Sequence, residues 1–159
     1  MDRPALAELE LVSPRGLRRV AYDQFHLGYK ALDLAPDELL ARVIVPKPSG
    51  RGFHYFRKVG TRQAQAISKT CLAAYARVEE GRLAELRIGL GSVAPTPARA
   101  RHAEAVLLGQ ALGSLPVAAA REALLADMSP IDDIRATAHY RSVVTRNLLG
   151  QMLRELAHA

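Results

Sequence analysis

The hydrophobic period of this chain changes once, from two residues to about 3.6, at Thr96-Pro97. Before that point, Cys71 to Val78 alternates, with Leu72, Ala74, Ala76 and Val78 on one face and Tyr75 and Arg77 on the other. Leu83 to Leu90 alternates again: Ala84, Leu86, Ile88 and Leu90 are expected inward, Glu85 and Arg87 outward. Glu79-Glu80-Gly81-Arg82 between them reads as a hairpin turn. Beyond Thr96, helical spacing takes over. Thr96 as cap with Pro97 in the first helical position predicts a helix to about Leu108. Pro116 opens a second, to about Met128, and Asp132-Asp133 caps a third, to Leu156. In the third, Val144, Leu148, Met152 and Leu156 recur every fourth residue, with Leu149 and Leu153 widening the stripe. Strands first and helices last predict an α+β fold: an antiparallel β-sheet of about four strands packed against a C-terminal layer of three helices.

Four segments are expected to form that sheet: 39–45, 53–58, 70–78 and 83–91. Residues 6–12 alternate apolar and acidic, Ser13-Pro14-Arg15-Gly16 is a turn, and Leu17 to Ala21 reads as a return strand. The apolar face of this hairpin is read as Leu6, Leu9, Leu11, Val12 and Val20. Tyr22 to Tyr29 is expected to be a short helix or turn. Thr61 can cap a helix from Arg62 to about Lys69.

At 159 residues, with 49% hydrophobic and 24% charged residues, the chain has the composition of an ordinary globular domain. No apolar run reaches the ~20 residues of a membrane helix, and the start, Met1-Asp2-Arg3-Pro4, has no apolar signal segment. A cytoplasmic location, without membrane partners, is the expectation. The net charge of +6 comes from scattered arginines without basic blocks or interleaved aromatics, so nucleic acid is not expected as a partner. A single cysteine, Cys71, excludes an internal disulfide and a Cys-based cluster within one chain. The histidines (His26, His54, His102, His139, His158) lack metal-ligand spacing, and no metal site is expected. No nucleophile elbow or phosphate-binding lysine loop occurs, so no catalytic residue is assigned. Gly89-Leu90-Gly91-Ser92 has glycines at the step of part of a dinucleotide loop, but the helix after it starts too late and no third glycine precedes it.

Several motifs in order resemble one known family. They are Asp23-Gln24-Phe25-His26-Leu27-Gly28-Tyr29, Leu34-Ala35-Pro36-Asp37-Glu38-Leu39-Leu40, Phe56-Arg57-Lys58-Val59 with Arg62, Gly89-Leu90-Gly91-Ser92-Val93-Ala94-Pro95-Thr96-Pro97, and Pro130-Ile131-Asp132-Asp133-Ile134-Arg135 continuing to Arg141. The pattern resembles the C-terminal domain of the FAD-binding (medium) subunit of molybdenum hydroxylases, the xanthine dehydrogenase and carbon monoxide dehydrogenase flavoproteins. The wording Lys58-Val59-Gly60-Thr61-Arg62 leans toward the xanthine dehydrogenase side.

The resemblance implies an oxidoreductase subunit that is inactive alone. Residues 1–21 would be a hairpin left from an upstream FAD-binding domain, and residues 22–159 the C-terminal-like domain. FAD would belong to the complete subunit, while the molybdenum cofactor and [2Fe–2S] clusters would sit on partner subunits. The implied flavin contacts are Leu40 and either Arg57 or Lys58; relatives carry Lys where this chain has Arg57. The implied partners are the upstream FAD-binding domain and the iron–sulfur and molybdenum subunits, with a homodimer as a further expectation. The competing reading is a non-catalytic association module that has lost flavin binding. Gly89, Gly91 and the Ala94-Pro95-Thr96-Pro97 turn are expected where backbone passes close to the flavin domain or a neighbouring helix.

Overall fold

A computed structural model describes residues 7–47, 50–62 and 65–159. They form two compact units, one within Met1–Ser49 and one within Gly50–Ala159. Strands fill the first unit and the first half of the second, and the helical layer comes last, as α+β requires.

In the first unit, strands β1 (Glu8–Ser13) and β2 (Gly16–Ala21) form the expected hairpin. A short helix α1 (Tyr22–Phe25) and two small strands, β3 (His26–Gly28) and β4 (Ala31–Leu32), follow. Strand β5 (Leu39–Ile44) then pairs antiparallel with β1, so β1 is the middle strand in the order β2-β1-β5. Leu9 and Leu11 point to one side, where they are buried with Val20 and Phe25, against Leu34. Val12 lies on the opposite side and is partly exposed, and Leu6 falls outside the described residues. Glu10, also on that opposite side, is only 3% exposed. It faces Arg19 on β2 and Arg42 on β5, at 3.4 and 3.1 Å.

Arg18 ties this unit together. Its Nε and Nη2 donate to Glu38 at 2.6 and 2.9 Å, and Nη1 donates to Asp33 at 2.9 Å. Glu38 also accepts the Ala35 amide at 2.7 Å. The Arg18 hydrogen bond, then the Ala35 amide, hold the Glu38 carboxyl down at about 2.

The second unit carries a four-stranded antiparallel sheet of β6 (Phe53–Val59), β7 (Thr70–Glu79), β8 (Arg82–Gly91) and β9 (Ala98–Arg99), in that spatial order. Residues 39–45 do not join it, contrary to expectation. Their alternation marks a strand, but their partner is chosen by cross-strand matches, Leu9 to Val43 and Glu10 to Arg42. The fourth place is taken by β9, where a helix was expected to have begun.

A bulge between Arg77 and Val78 pairs Arg77 with Glu85 but Val78 with Leu83. The extra residue reverses the phase at the start of β8. Leu83 is therefore fully buried and Ala84 exposed, the reverse of the expected assignment, while Leu86, Ile88 and Leu90 face inward as expected. The β7–β8 turn places Glu80 and Gly81 both at positive φ, 50° and 73°, as a type I′ hairpin requires.

Helices α2 (Arg101–Leu107), α3 (Val117–Ala123) and α4 (Ala138–Ala157) supply the layer over one sheet face. The core joins Leu72, Ile88 and Leu90 of the sheet to Leu107, Leu124, Leu149, Met152 and Leu153. Helix α2 starts later than expected. Glu104, nearly buried, accepts the Ile88 amide at 2.7 Å and Arg99 Nε at 2.9 Å, sewing β9 to the sheet before the helix begins. Helix α4 also starts late. Asp133 accepts the amides of Arg135 and Ala136 in a tight turn, and Thr137 caps the helix by accepting the Tyr140 amide at 3.1 Å. Around Thr61, the described residues 61–62 and 65–69 are not helical; Arg62 instead donates to the Gln65 carbonyl at 2.6 Å.

Arg141, on the first turn of α4, is 4% exposed. It donates to the carbonyls of Lys69 and Ser92 at 2.6 and 2.8 Å and to Asp133 at 2.7 Å. One guanidinium thus holds three chain reversals.

Candidate functional site

Strand β6 is an edge strand, and its register on β7 sorts the two expected flavin cations. Arg57 pairs with Leu72 and Lys58 with Cys71. Leu72 is fully buried under the helices, whereas Cys71 belongs to the opposite, uncovered face. Adjacent strand residues point to opposite faces, so Arg57 lies on the helix side and Lys58 on the open side. The two cations cannot serve one point in space.

Arg57 is held on its side. Its Nη2 lies 3.7 Å from Glu155 Oε1 near the end of α4, and its guanidinium carbon lies 5.8 Å from the centroid of the Tyr55 ring. Tyr55 is two residues earlier and therefore on the same face. It is 7% exposed, and its hydroxyl has no hydrogen-bond partner among the described residues. Burial, then the Glu155 charge, push the Tyr55 phenol above its usual range, while Arg57 opposes them. Lys58 is exposed and forms no ion pair with a described residue. Leu40, the apolar member of the expected set, lies on β5 opposite Leu11 and is half exposed, not sheet core.

The open face has its own relief. Cross-strand rows run His54–Tyr75–Arg87 and Phe56–Ala73–Gly89. They line a shallow depression with a small-residue floor. His54 stands 5.1 Å from the Tyr75 ring. Of the two glycines expected to pass close to the flavin domain or a neighbouring helix, Gly91 is instead crowded within the sheet itself, and Gly89 is not crowded. A Cβ on Gly91 would come 2.5 Å from Cys71 Sγ, its cross-strand neighbour. The next residue, Ser92, takes a positive φ of 64°.

FAD has two ends with different needs. A ring wall needs an apolar contact and a cation, which Leu40 and the β6 cations can each offer. A pyrophosphate needs free backbone amides, most simply at a helix start. At the starts of α2 and α4 several are occupied. Asp127 accepts the His102 and Ala103 amides of α2 at 3.1 and 3.2 Å, and Asp132 accepts the Ala138 amide of α4. Leu40, in the first unit, and the β6 cations, in the second, each suit a flavin ring by residue type, and the occupied starts of α2 and α4 do not suit its phosphates. Among the described residues no three His, Cys, Asp or Glu side chains gather as a metal site would require. Among the described residues no helix is long and apolar enough to cross a membrane.

Sequence reasoning paired Arg57 with Lys58 and could not separate them, because β6 is apolar or aromatic in both phases. Glu155 escaped it altogether. It is far from Arg57 along the chain, and no local pattern links the two.

The model of the CO dehydrogenase flavoprotein C-terminal domain matches residues 54–156. The chain is 32% identical over 154 residues to a xanthine dehydrogenase FAD-binding subunit of Escherichia coli O157:H7, covering 96% of this chain and 53% of that protein. It is 31% identical over 164 residues to the carbon monoxide dehydrogenase medium chain of Hydrogenophaga pseudoflava, covering 99% and 55%. The fold superposes on reconstituted CO dehydrogenase from Oligotropha carboxidovorans with a TM-score of 0.88 at 27% identity, over 97% of this chain and 54% of that one. The chain spans about half the length of these relatives.

Proposed function

Because the chain belongs to the CO dehydrogenase flavoprotein C-terminal domain family, we propose that it is the flavin-covering and subunit-docking part of a xanthine dehydrogenase-like molybdenum hydroxylase. The observation that carries this reading is the family match over residues 54–156, which contains both cations of β6. In this reading residues 1–21 belong with an upstream FAD-binding domain and residues 22–159 form the covering domain. The partners are that domain and the iron–sulfur and molybdenum subunits, in the cytoplasm, and the chain is not active alone.

When bound, FAD supplies the relay that takes electrons from [2Fe–2S] clusters and passes them to an acceptor. The chain's own part is electrostatic and steric. Leu40 offers apolar surface to the ring and excludes water. Arg57 or Lys58 places a positive charge where reduced flavin carries its negative one, which favours the reduced form. The opposite faces of the two cations make the roles exclusive: one serves the flavin, the other a neighbouring surface or solvent.

The second reading is an association module without flavin. The occupied starts of α2 and α4 favour it for the isolated chain. A visible spectrum of the purified chain, followed by titration with FAD, separates the two when repeated with the upstream domain supplied in trans. The first reading expects little or no FAD on the chain alone and a flavoprotein spectrum from the pair, with the flavin potential altered by Arg57→Ala or by Lys58→Ala but not by both. A flavin pair whose potential ignores both substitutions defeats the proposed flavin contacts of Arg57 and Lys58.

A further inference from the structure

We propose that Glu155 is a positioning residue for Arg57: it holds the guanidinium over the Tyr55 ring on the helix side of the sheet and sets how much positive charge strand β6 presents to a flavin. This rests on Arg57 being the ring-side cation.

Three observations point to Glu155. First, it is itself held: Gln151 Nε2, one turn earlier on α4, donates to Glu155 Oε1 at 2.9 Å, the same oxygen that faces Arg57 at 3.7 Å. Second, its place is poor for the helix. A carboxylate in the last turn of an α-helix opposes the macrodipole, where a cation would be favoured. Within the helix only the Gln151 pair favours an acid there, and the cation across the gap adds a second reason. Third, Arg57 has a two-part cradle, an acid and an aromatic face, and Lys58 has neither. Guanidinium stacks on an aromatic ring and pairs with a carboxylate at once, which an ammonium does less well.

The arrangement predicts a direction. Glu155 and Arg57 are both about half exposed, so the pair is loose in water and tightens once a neighbouring surface excludes solvent. The acid offsets part of the arginine's charge. Neutralising it leaves Arg57 uncompensated, which further favours reduced flavin and raises the flavin potential.

Two measurements test this. In the chain alone, NMR of 15N-arginine follows the Arg57 Nε–Hε signal, assigned by its loss in Arg57→Gln. Glu155→Gln is expected to shift that signal and Glu155→Asp to shift it less, with unchanged thermal melting. An Arg57 signal indifferent to Glu155→Gln overturns the proposal. In the FAD-loaded complex with the upstream domain, Glu155→Gln is expected to shift the midpoint potential upward and Arg57→Gln downward, and Glu155→Gln should do nothing in the Arg57→Gln background. If Arg57→Gln shifts the potential and Glu155→Gln does not, the positioning role is wrong while the proposed function stands. If only Lys58→Gln shifts it, Lys58 is the ring cation and the positioning role falls. If none of them does, both readings fall.

Discussion

Arg141 Nη2 donates to Asp133 Oδ1 at 2.7 Å, joining the first turn of α4 to the turn that precedes it. The same guanidinium satisfies the carbonyls of Lys69 and Ser92. Replacing it leaves two carbonyls without their donor and takes one of several partners from the partly exposed Asp133 carboxylate. Arg141→Ala is expected to destabilise the second unit by roughly 1–3 kcal/mol, the cost of leaving acceptors without their donor. Urea unfolding would measure this, and Arg141→Lys should recover only a part, because one ammonium cannot reach three acceptors in a fork.

Acid should weaken both units over one pH range. Glu38 is held at about 2 against an ordinary 4.5, first by its bond from Arg18. Asp133 is held at about 2 against 3.8, first by the Arg135 amide. A depressed folded value means the unfolded chain takes up the proton first. The stabilisation is therefore whole above the ordinary value and is lost as pH falls from about 4.5 toward 2. Urea midpoints followed down through this window should fall, and the fall should be smaller in Glu38→Gln or Asp133→Asn. An equal slope in these variants would show that other groups carry the acid response.

Gly91 is favoured by a sulfur atom and not by its backbone angle. Gly91→Ala puts a methyl group 2.5 Å from Cys71 Sγ; the sulfur is a side-chain tip on the uncovered face and can turn aside, so the expected cost is at most about 1 kcal/mol. The double variant with Cys71→Ala should recover most of the loss, as read from thermal melts of the single and double variants.

At the β7–β8 turn, Glu80 sits at positive φ ahead of Gly81. Asn tolerates that region far better and forms the preferred pair with glycine. Glu80→Asn is expected to stabilise the second unit by about 0.5–1 kcal/mol. A neutral or lower melting temperature would argue that the Glu80 side chain serves another contact.

Residues 1–21 hold the middle strand of the first sheet, not a pendant one. Deleting them removes both β1 and β2 and leaves β5 without its ladder. The shortened chain should lose a cooperative part of its unfolding curve and expose Leu40 and Val43 more fully. Unchanged stability and dye binding after deletion would show the hairpin to be dispensable.

Much of the second unit was legible from period alone. Leu72, Leu86, Ile88 and Leu90, and the stripe from Leu148 to Leu156, were placed correctly because alternation and helical spacing report burial directly. What period cannot report is long-range choice. The bulge beside Val78 inverted the start of β8, and Asp127, distant in sequence, set the start of α2. The pairing of β5 with β1 followed cross-strand charges that no window contains. The site suffered similarly. Arg57 and Lys58 were proposed by resemblance, but their separation onto opposite faces depends on register, and Glu155 becomes visible only once α4 is packed on the sheet.

Glu10 behaves as a key that admits one alignment of three strands. In the observed register its carboxylate lies between Arg19 and Arg42, while Leu9 and Leu11 turn away from it into the small core. A slip of β1 by one residue would carry the acid into that core without a partner and bring both leucines out to water. So few buried apolar residues would tolerate several alignments on hydrophobicity alone. A single acid with an arginine on either flank removes that freedom, and a Glu10→Leu chain would keep its apolar surface while losing its reason to prefer one pairing over the next.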